Sequence, residues 1–532
     1  MFLQSNKISY SKMPTILIDK KSLLGGIASD IIGISASQET KSNQYAFSNG
    51  IDLYRAGRKG HITPAQIFNQ GPITDASSNI NSVPRAAVVD ITQTPPYIFT
   101  ILGGLAGTAP RVVRILSGAY DSHQVVTADA GDNFTTLPAT GFWGEDIILY
   151  KVGAVTFVFY SWNDSDDGDV GQATLAGVYN DDYMSTVAAS GTKLVGAVPH
   201  RMVEGADKNL YITNGRYVAQ FDGATGANGT LNATKYDSGV GWINVDVRRF
   251  GDLLVIAAIK SGSSYSAYNF YSECRVCFWN MTEPGLGLVK EINDNYLSAI
   301  FATPNNELFA FTRGKNDTTK IHEFTGSGFR LIWEGLVGTY GTPPDPRSIE
   351  YYKGLICWVP QNAQSSFVLA LDPETKGVHI PFIVNDGTNN VTASSAGVLR
   401  NIDVGKLYVG GLFSSSYKLV WLTATSTGFA SSADLRTQLY SLPFGSTIKK
   451  FKVFFSQMVS GSQAQFSLFT NYTASSVGTA GTDLWNETLD FTTYGALNEY
   501  EFAKTIPNVS SFYLNVRVTG QISVRAIVVE YQ

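Results

Sequence analysis

The stretch 209–223 reads NLYITNGRYVAQFDG and predicts a β-hairpin. Leu210 and Ile212 precede Asn214-Gly215 in an alternating pattern, and Val218 follows on the other side. Asn-Gly between two alternating runs is the strongest short-range hairpin signal, because a type I′ turn needs a positive φ at both central residues. We therefore expect a tight turn centred on Asn214-Gly215.

Similar apolar runs recur along the chain at near-even spacing. Seven of them start at Tyr97, Ile147, Leu210, Leu253, Leu308, Leu355 and Leu407. Successive starts lie 50, 63, 43, 55, 47 and 52 residues apart, which is a period of roughly 50. A strand-only repeat of about 40–50 residues is typical of a β-propeller blade. Stacked β-sandwich hairpins also have frequent turns, but the even spacing favours a propeller of about seven blades.

The composition indicates an all-β fold with a large core. Hydrophobic residues make up 44% of the 532 residues and aromatic residues 12%, whereas only 16% are charged. The chain also contains 51 glycines, and runs with the 3.6-residue period of a helix are almost absent. Low charge with many aromatic and glycine residues is typical of strands joined by tight turns.

Charge and cysteine content argue against several classes of protein. The net charge of −5 and the lack of a basic run disfavour sequence-independent duplex binding, which needs clustered Lys and Arg. Three scattered cysteines predict no disulfide framework and assembly in a reducing cytoplasm. Cys274 and Cys277 have a metal-like spacing, but residues three apart on a strand face opposite sides, which favours two plain strand cysteines. We expect neither a signal peptide nor a membrane span.

Changes in composition and in the spacing of predicted strands divide the chain into three regions. Residues 1–45 are expected to form an arm, which either adds a strand to a neighbour's sheet edge or packs on its own propeller. Residues 46–425 hold the propeller. In residues 435–532 the period of 50 ends and strands crowd together, which predicts a β-sandwich of jelly-roll type. The Ser-, Thr- and Ala-rich stretch 423–432 is the expected linker.

An acidic stretch after a predicted strand is the best metal candidate. Residues 162–169 read WNDSDDGD, and such a loop can surround Ca²⁺ with oxygen ligands. The candidate ligands are Asp164, Asp166, Asp167 and Asp169. Counted from Asn163, the twelfth position is Thr174 rather than the bidentate acid of an EF-hand, so an exposed acidic loop is the favoured interpretation. No other metal and no cofactor is predicted.

Two further groups of residues are candidates for binding a partner. The most basic spot lies in a glycine-rich segment, where a partner or nucleic-acid contact competes with a solvated turn; it comprises Arg55, Arg58, Lys59 and His61. Aromatic residues near turns could stack on sugar rings, although the same rings are expected in the blade core; they are Tyr265, Tyr268, Trp279 and Trp358.

A propeller glycosidase would need two or three carboxylates that converge on the central channel. The candidates near strand starts are Asp52, Asp146, Asp246, Asp252 and Glu307. Asp also serves as a plain turn residue, and the sequence contains neither a Gly-x-Ser-x-Gly elbow nor a phosphate-binding loop. We therefore expect that the protein is not an enzyme.

The chain resembles structural proteins of tailed bacteriophages that join a β-propeller to β-sandwich domains, such as tail nozzle and tail hub proteins. The resemblance rests on the GIDLYRAG stretch (50–57), on blades without catalytic motifs and on a terminal sandwich that ends in IVVEY (527–531). It implies a ring-forming tail subunit of the virion, assembled in the host cytoplasm, which contacts neighbouring tail proteins. It also implies passing contact with the genomic DNA during ejection. The alternative is a receptor- or glycan-binding tail protein.

Overall fold

The structure is a computed structural model of the full chain. It describes residues 13–27, 44–49, 51–54, 59–64, 66–68, 82–92, 96–103, 112–116, 123–125, 143–163, 167–175, 179–181, 194–222, 230–261, 265, 271–283, 287–360, 367–384, 399–402, 406–413, 416–422, 433–456, 458–469 and 485–532. These residues fall into two compact units. The first comprises residues 1–66, 377–381 and 429–532, and the second comprises residues 67–376 and 382–428.

The chain begins with short elements. They are β1 (Thr15–Ile18), helix α1 (Lys20–Leu23), β2 (Tyr45–Asn49) and β3 (Gln66–Phe68).

Seven antiparallel sheets then follow one another in the second unit, and we call them blades 1 to 7. Blade 1 contains β4 (Pro84–Asp90), β5 (Tyr97–Leu102), β6 (Val112–Leu116) and β7 (His123–Val125). Blade 2 contains β8 (Trp143–Val152), β9 (Val155–Asn163), β10 (Asp167–Thr174), β11 (Tyr179–Asp181) and β12 (Leu194–Val195). Blade 3 contains β13 (Met202–Glu204), β14 (Leu210–Asn214), β15 (Tyr217–Asp222) and β16 (Thr230–Asp237).

The remaining blades have the same up-and-down order. Blade 4 contains β17 (Trp242–Phe250), β18 (Leu253–Lys260), β19 (Cys274–Trp279) and β20 (Leu288–Ile292). Blade 5 contains β21 (Tyr296–Ala302), β22 (Leu308–Arg313), β23 (Thr318–Phe324) and β24 (Phe329–Leu336), and α2 (Val337–Tyr340) follows it. Blade 6 contains β25 (Ile349–Tyr352), β26 (Leu355–Trp358) and β27 (Phe367–Leu371), and β28 (Val378–Val384) comes next in the chain. Blade 7 contains β29 (Leu399–Ile402), β30 (Lys406–Phe413) and β31 (Ser416–Leu422).

The blades close into a ring through their first strands. In order around the ring, β4 contacts β8, β8 contacts β13, β13 contacts β17, β17 contacts β21, β25 contacts β29, and β29 returns to β4. The step from blade 5 to blade 6 is made by Phe311 and Trp358, whose ring centroids are 5.4 Å apart. The unit is therefore a seven-bladed β-propeller, and the first strand of each blade is its innermost one.

Apolar side chains fill the spaces between neighbouring blades. Five of these spaces, from blade 7 through blade 1 to blade 5, are each filled by a cluster with residues from both sheets. Representative pairs are Phe99 with Tyr160, Phe159 with Phe221, Tyr211 with Trp279, Phe278 with Phe324, and Ile98 with Tyr408. Large aromatic side chains thus fill the spaces between neighbouring sheets and hold them apart.

The structure corrects two details of the predicted repeat. Six of the seven predicted starts fall on the second strand of a blade, but Ile147 lies in β8, the first strand of blade 2. The hairpin turn of 209–223 is also displaced by one residue, because Asn214 pairs with Tyr217 and leaves Gly215 and Arg216 at the centre. Only Gly215 has a positive φ, of 60°, which is the pattern of a type II′ rather than a type I′ turn.

The first unit is a two-sheet sandwich. One sheet has the order β1-β39-β34-β37, and the other has the order β2-β32-β38-β35-β36, with β33 also paired to β38. The strands are β32 (Ala433–Thr437), β33 (Tyr440–Ser441), β34 (Ile448–Phe455), β35 (Gln463–Phe469), β36 (Trp485–Asp490), β37 (Glu499–Ile506), β38 (Ser511–Thr519) and β39 (Val524–Tyr531), with helix α3 (Phe491–Tyr494) before β37. Most strands that follow one another in the chain from β33 to β39 lie in opposite sheets, as in a jelly roll.

Strand β38 turns one apolar face toward the core of the sandwich. Phe512, Leu514, Val516 and Val518 are all completely buried between the two sheets. Aromatic rings from both sheets also meet there, with the rings of Phe451 and Trp485 stacked at 4.1 Å. Because side chains alternate across a strand, this single face carries the core of the sandwich.

The N-terminal segment completes both sheets of this sandwich. β1 pairs with the edge of β39, and β2 pairs with the edge of β32. Residues 377–381 group with them, because His379 accepts or donates hydrogen bonds to the hydroxyls of Tyr45 and Tyr54, at 3.1 and 2.9 Å. The described residues of the first 45 therefore join the C-terminal sandwich, and the described residues between 46 and 66 belong to the same unit rather than to the propeller. The division at residue 429 falls within the predicted linker, which lies outside the described residues.

Replacing Ile18 by Ala is expected to destabilise the sandwich by about 2–4 kcal/mol, because this β1 side chain is 1% exposed. Hydrogen exchange of the β39 amides, which pair with β1, reports the effect as faster exchange. The matched control is Leu17→Ala on the same strand, where the side chain is 51% exposed and exchange should stay close to that of the unmodified chain. Equal effects of the two substitutions would contradict this account of β1.

Candidate functional site

A short turn between blades 5 and 6 occupies the centre of the propeller. Residues 345–348, which we call the axial turn, include a 3-10 helix from Pro346 to Ser348. The 3-10 helix contacts β4, β21 and β29, the innermost strands of blades 1, 5 and 7. The axial turn also bonds to side chains from β8 and β17 and to Arg201 just before β13. Since it continues directly into β25, it touches all seven blades, which is possible only on the ring axis.

Local hydrogen bonds set the shape of the axial turn. The Asp345 carboxylate accepts a hydrogen bond from the backbone N–H of Arg347 at 2.9 Å, as an N-cap residue does. The Ser348 hydroxyl donates to the Asp345 carbonyl, also at 2.9 Å. Pro346 at the first helical position fixes φ and has no N–H to satisfy. The turn is therefore preorganised by its own sequence.

Arg347 is the central cation of the propeller, and its side chain is almost fully buried. Its guanidinium forms a hydrogen-bonded ion pair with Asp146 of blade 2 and lies 3.8 Å from Asp246 of blade 4. From blade 4, Arg248 approaches Asp246 at 3.3 Å and donates to the Pro346 carbonyl at 2.5 Å. One residue of the axial turn thus ties two non-adjacent blades together.

Arg201 forms a second set of ion pairs around the same turn. Its guanidinium lies 3.0 Å from the Asp345 carboxylate and 3.1 Å from the Glu145 carboxylate. We call these seven residues the axial cluster: Glu145, Asp146, Arg201, Asp246, Arg248, Asp345 and Arg347. It contains four carboxylates and three guanidinium groups, so opposite charges are nearly balanced.

The pKa shifts in the axial cluster follow from burial opposed by pairing. Burial by itself would raise the pKa of Asp345, but the Arg201 charge and the Arg347 N–H outweigh it and lower that pKa. Burial would lower the pKa of Arg201, yet Asp345, Glu145 and Asp146 raise it. For Arg347 burial dominates and lowers the pKa, although Asp146 and Asp246 oppose the change.

The two central aspartates also clamp successive blades. The Asp146 carboxylate accepts the N–H of Ile147 at 2.8 Å and the N–H of Met202, in blade 3, at 2.6 Å. The Asp246 carboxylate accepts the N–H of Val247 and, at 3.1 Å, the N–H of Ile300 in blade 5. The pairing register of each innermost strand shifts immediately before its aspartate, and such β-bulges re-aim a side chain.

This arrangement leaves no carboxylate oxygen of Asp146 or Asp246 without a donor. Each oxygen accepts at least one backbone N–H or guanidinium hydrogen bond or lies in an ion pair. A general acid or base needs one carboxylate to face the substrate with its pKa tuned for proton transfer. The chemistry that the axial cluster supports is therefore charge pairing that fixes the blades.

The other predicted carboxylates lie away from the axial cluster. Asp252 is exposed in the two-residue turn between β17 and β18. Glu307 forms an ion pair with Lys376 at 3.2 Å, at the start of the second strand of its blade. Asp52 belongs to the sandwich unit, where it accepts the N–H of Tyr54.

The structure describes only part of the predicted calcium loop. Asp164 and Asp166 lie outside the described residues, whereas Asp167 and Asp169 are in strand β10. Among the described residues no group of three or more His, Cys, Asp and Glu is arranged to hold a metal ion. Cys274 and Cys277 are buried on opposite faces of β19, as predicted for plain strand cysteines.

Some of the predicted partner-binding residues are buried in the core, others are bonded to neighbouring side chains, and three lie outside the described residues. Trp279 and Trp358 are core residues, 1% and 0% exposed, and the Tyr265 hydroxyl lies 3.2 Å from that of Tyr296. In the basic spot, Lys59 lies over the Tyr54 ring and His61 hydrogen bonds to Ser523. Tyr268, Arg55 and Arg58 lie outside the described residues. Within the described part of the chain, no helix has the length and hydropathy to cross a bilayer.

Sequence reasoning missed a hydroxyl, imidazole and carboxylate set in blade 5. Nε2 of His322 lies 2.7 Å from Asp294 and 3.1 Å from the hydroxyl of Thr312, which itself donates to Asp294 at 2.6 Å. A catalytic relay uses the two ring nitrogens for different partners, whereas here one nitrogen faces both. The set therefore ties strands β22 and β23 to the turn before β21.

Known proteins resemble this chain only distantly. No protein-family model matches the chain, and no curated protein matches it. Among solved structures, the Dos1 propeller is 11% identical, with a TM-score of 0.40 over 66% of this chain and 95% of that chain. A putative 6-phosphogluconolactonase from Bacteroides uniformis is 10% identical, with a TM-score of 0.39 over 64% and 96% of the two chains.

A third solved structure is the PQQ-bound aldose sugar dehydrogenase from Streptomyces coelicolor. It is 10% identical, with a TM-score of 0.37 over 68% of this chain and 97% of that chain. At these scores the likeness carries no functional argument. The propeller is identified by this chain's own sheet order and ring closure.

Replacing Arg347 by Ala is expected to lower the free energy of unfolding by about 3–5 kcal/mol, because it leaves Asp146 and Asp246 buried beside a cavity. Urea unfolding followed by circular dichroism measures the change. The control is Lys260→Ala, which breaks an exposed ion pair with Glu273 and should cost less than about 1 kcal/mol. A loss at Arg347 no larger than that at Lys260 would show that the axial cluster does not hold the ring.

The buried His200 predicts a loss of stability in mild acid. Burial lowers the pKa of His200 to about 4, against 6.5 in the unfolded chain, and Nδ1 donates to the Thr213 carbonyl at 2.9 Å. The unfolded chain therefore takes up the proton first, so stability present above pH 6.5 falls as the pH drops. Between pH 7 and 4.5 we expect a decrease of roughly 2–3 kcal/mol from this residue.

The measurement is urea unfolding at several pH values in the unmodified chain and in His200→Gln. The free energy of unfolding of the variant should decrease less over the same pH range, whatever its value at pH 7. Identical slopes would mean that His200 titrates alike in the folded and unfolded chains.

Proposed function

We propose that the protein is a structural subunit of a bacteriophage tail, of nozzle, hub or tail-tip type, which assembles into a ring with copies of itself. The observation that carries the proposal is the axial cluster. The central channel of this propeller is filled by its own chain, with Arg347 paired to Asp146 and Asp246, and is therefore not an open ligand-binding channel. A propeller with a filled channel resists deformation, which suits a load-bearing subunit.

The same observation weighs against an enzyme of the glycosidase type. Propeller glycosidases would place their carboxylates at the channel, and here those positions are consumed by ion pairs and backbone N–H groups. In this proposal the protein therefore has no catalytic residues, and it works through contacts with neighbouring tail proteins. The plugged axis also means that genomic DNA would pass beside the propeller, through the centre of the assembled ring.

The N-terminal strands fit this role. β1 pairs with β39 and β2 pairs with β32, so both strands lie along sheet edges of the C-terminal sandwich. Covered sheet edges prevent uncontrolled strand pairing between crowded copies. The exposed edge strand β37 alternates buried residues with Glu499, Glu501 and Lys504, which protects it in the same way.

The experiment is native mass spectrometry and negative-stain imaging of the purified full chain over a range of protein concentrations. The proposal expects closed rings with one repeated copy number. A chain that stays monomeric at high concentration, and that antibodies raised against it do not detect in phage particles propagated on the host, would overturn it. The matched control is a variant with Arg347→Ala, which should lose rings only at denaturant levels that unfold the propeller.

A further inference from the structure

The sandwich has one open side, between edge strands β36 and β37. β36 is the last strand of one sheet, and β37 is the last strand of the other. Their side chains meet directly, since the ring centroids of Trp485 and Phe502 are 5.5 Å apart. Helix α3 and the residues after it connect the two strands along this side.

Aromatic rings continue from the core to the surface at this side. The Phe502 ring is followed by Tyr500 at 4.8 Å and then by Tyr494 at 4.6 Å, both in edge-to-face geometry. Phe502 is buried, whereas Tyr494 and Tyr500 are only half-buried. Phe491 and Leu497 beside them are 39% and 41% exposed. Large rings kept at the surface next to apolar neighbours are the usual lining of a small ligand site.

Glu487 lies on the same open side without a partner in the described structure. It alternates with Asn486 and Thr488 on β36, and so it shares the inward face with Trp485 and Leu489. Its side chain is half-buried, and among the described residues it makes no hydrogen bond and no ion pair. It is close enough to act electrostatically on the Tyr494 phenol, together with Asp490. Because the Glu487 carboxylate is partly exposed, its oxygens can accept hydrogen bonds from water or from the hydroxyls of a ligand.

The charge around the cleft restricts what can bind. Two lysines of the neighbouring strand β34 are paired, since Lys452 lies 3.1 Å from Glu499, and Lys450 lies 3.3 Å from both Glu501 and Glu530. Glu487 and Asp490 therefore leave the cleft negative, which repels phosphates, sulfates and acidic sugars. A neutral ligand rich in hydroxyl donors, with a flat C–H face for the tyrosine rings, fits both features.

We propose that the cleft formed by Glu487, Tyr494 and Tyr500 binds a neutral pyranose ring of an oligosaccharide. The Glu487 carboxylate accepts hydrogen bonds from sugar hydroxyls, and the tyrosine rings contact the C–H face of the sugar. The site is in the sandwich and is built from a single chain. It is therefore independent of ring assembly and of the axial cluster.

The test is calorimetric titration of the full chain with neutral hexasaccharides of glucose, mannose, galactose and N-acetylglucosamine. At least one should bind with a dissociation constant below about 1 mM, whereas a hyaluronate hexasaccharide should not bind. Tyr494→Ala and Glu487→Gln should each weaken binding at least tenfold, because they remove the stacking face and the charged acceptor. Tyr494→Phe keeps the ring and should retain most of the affinity.

The matched control is Phe444→Ala. Phe444 is fully exposed in the same unit, in the turn that precedes the opposite end of β34, and its loss should leave binding unchanged. The proposal is overturned if no hexasaccharide binds at 10 mM, or if binding survives both Tyr494→Ala and Glu487→Gln. Sugar binding by a chain that stays monomeric would leave this inference standing while it removes the proposed tail role.

Discussion

The ion pair between Arg347 and Asp146, with Asp246 close by, is the interaction on which the propeller depends. Seven sheets that radiate from an axis leave a channel at their centre, and that channel must hold water, a ligand or protein. Here the axial turn fills it, so the polar backbone of the innermost strands meets charged groups rather than solvent. A buried guanidinium is tolerated only when carboxylates surround it, and this is why the blades supply aspartates at their inner ends.

The clamp also explains how blades with such different sequences keep one geometry. Asp146 reaches from blade 2 to a backbone N–H of blade 3, and Asp246 repeats the contact from blade 4 to blade 5. Apolar clusters between the faces supply most of the burial, but they are non-directional. The directional bonds at the axis fix the rotation of blade 3 relative to blade 2 and of blade 5 relative to blade 4.

The sandwich solves a different problem, that of two sheets with exposed edges. On two of these edges the N-terminal strands are added, while the charged β37 remains as an edge on the side where the cleft opens. The one side left open is where Glu487 and the two tyrosines lie. The axial cluster and the proposed sugar site are thus built from separate parts of the chain, so each can be altered by substitution without the other.

The sequence by itself determined the all-β class, the repeat of about seven blades and the sandwich that follows them, because alternation and turn residues act over a few neighbours. It placed the turn of 209–223 only to within one residue, since Asn214 could serve either as a turn residue or as the last paired residue. Asp146 and Asp246 could be singled out from their position in the repeat. That Arg347, 201 residues after Asp146 and 101 residues after Asp246, pairs with both was decided only when the ring closed. The same holds for β1, whose partner β39 lies at the other end of the chain, because strand pairing over such separations leaves no local signal.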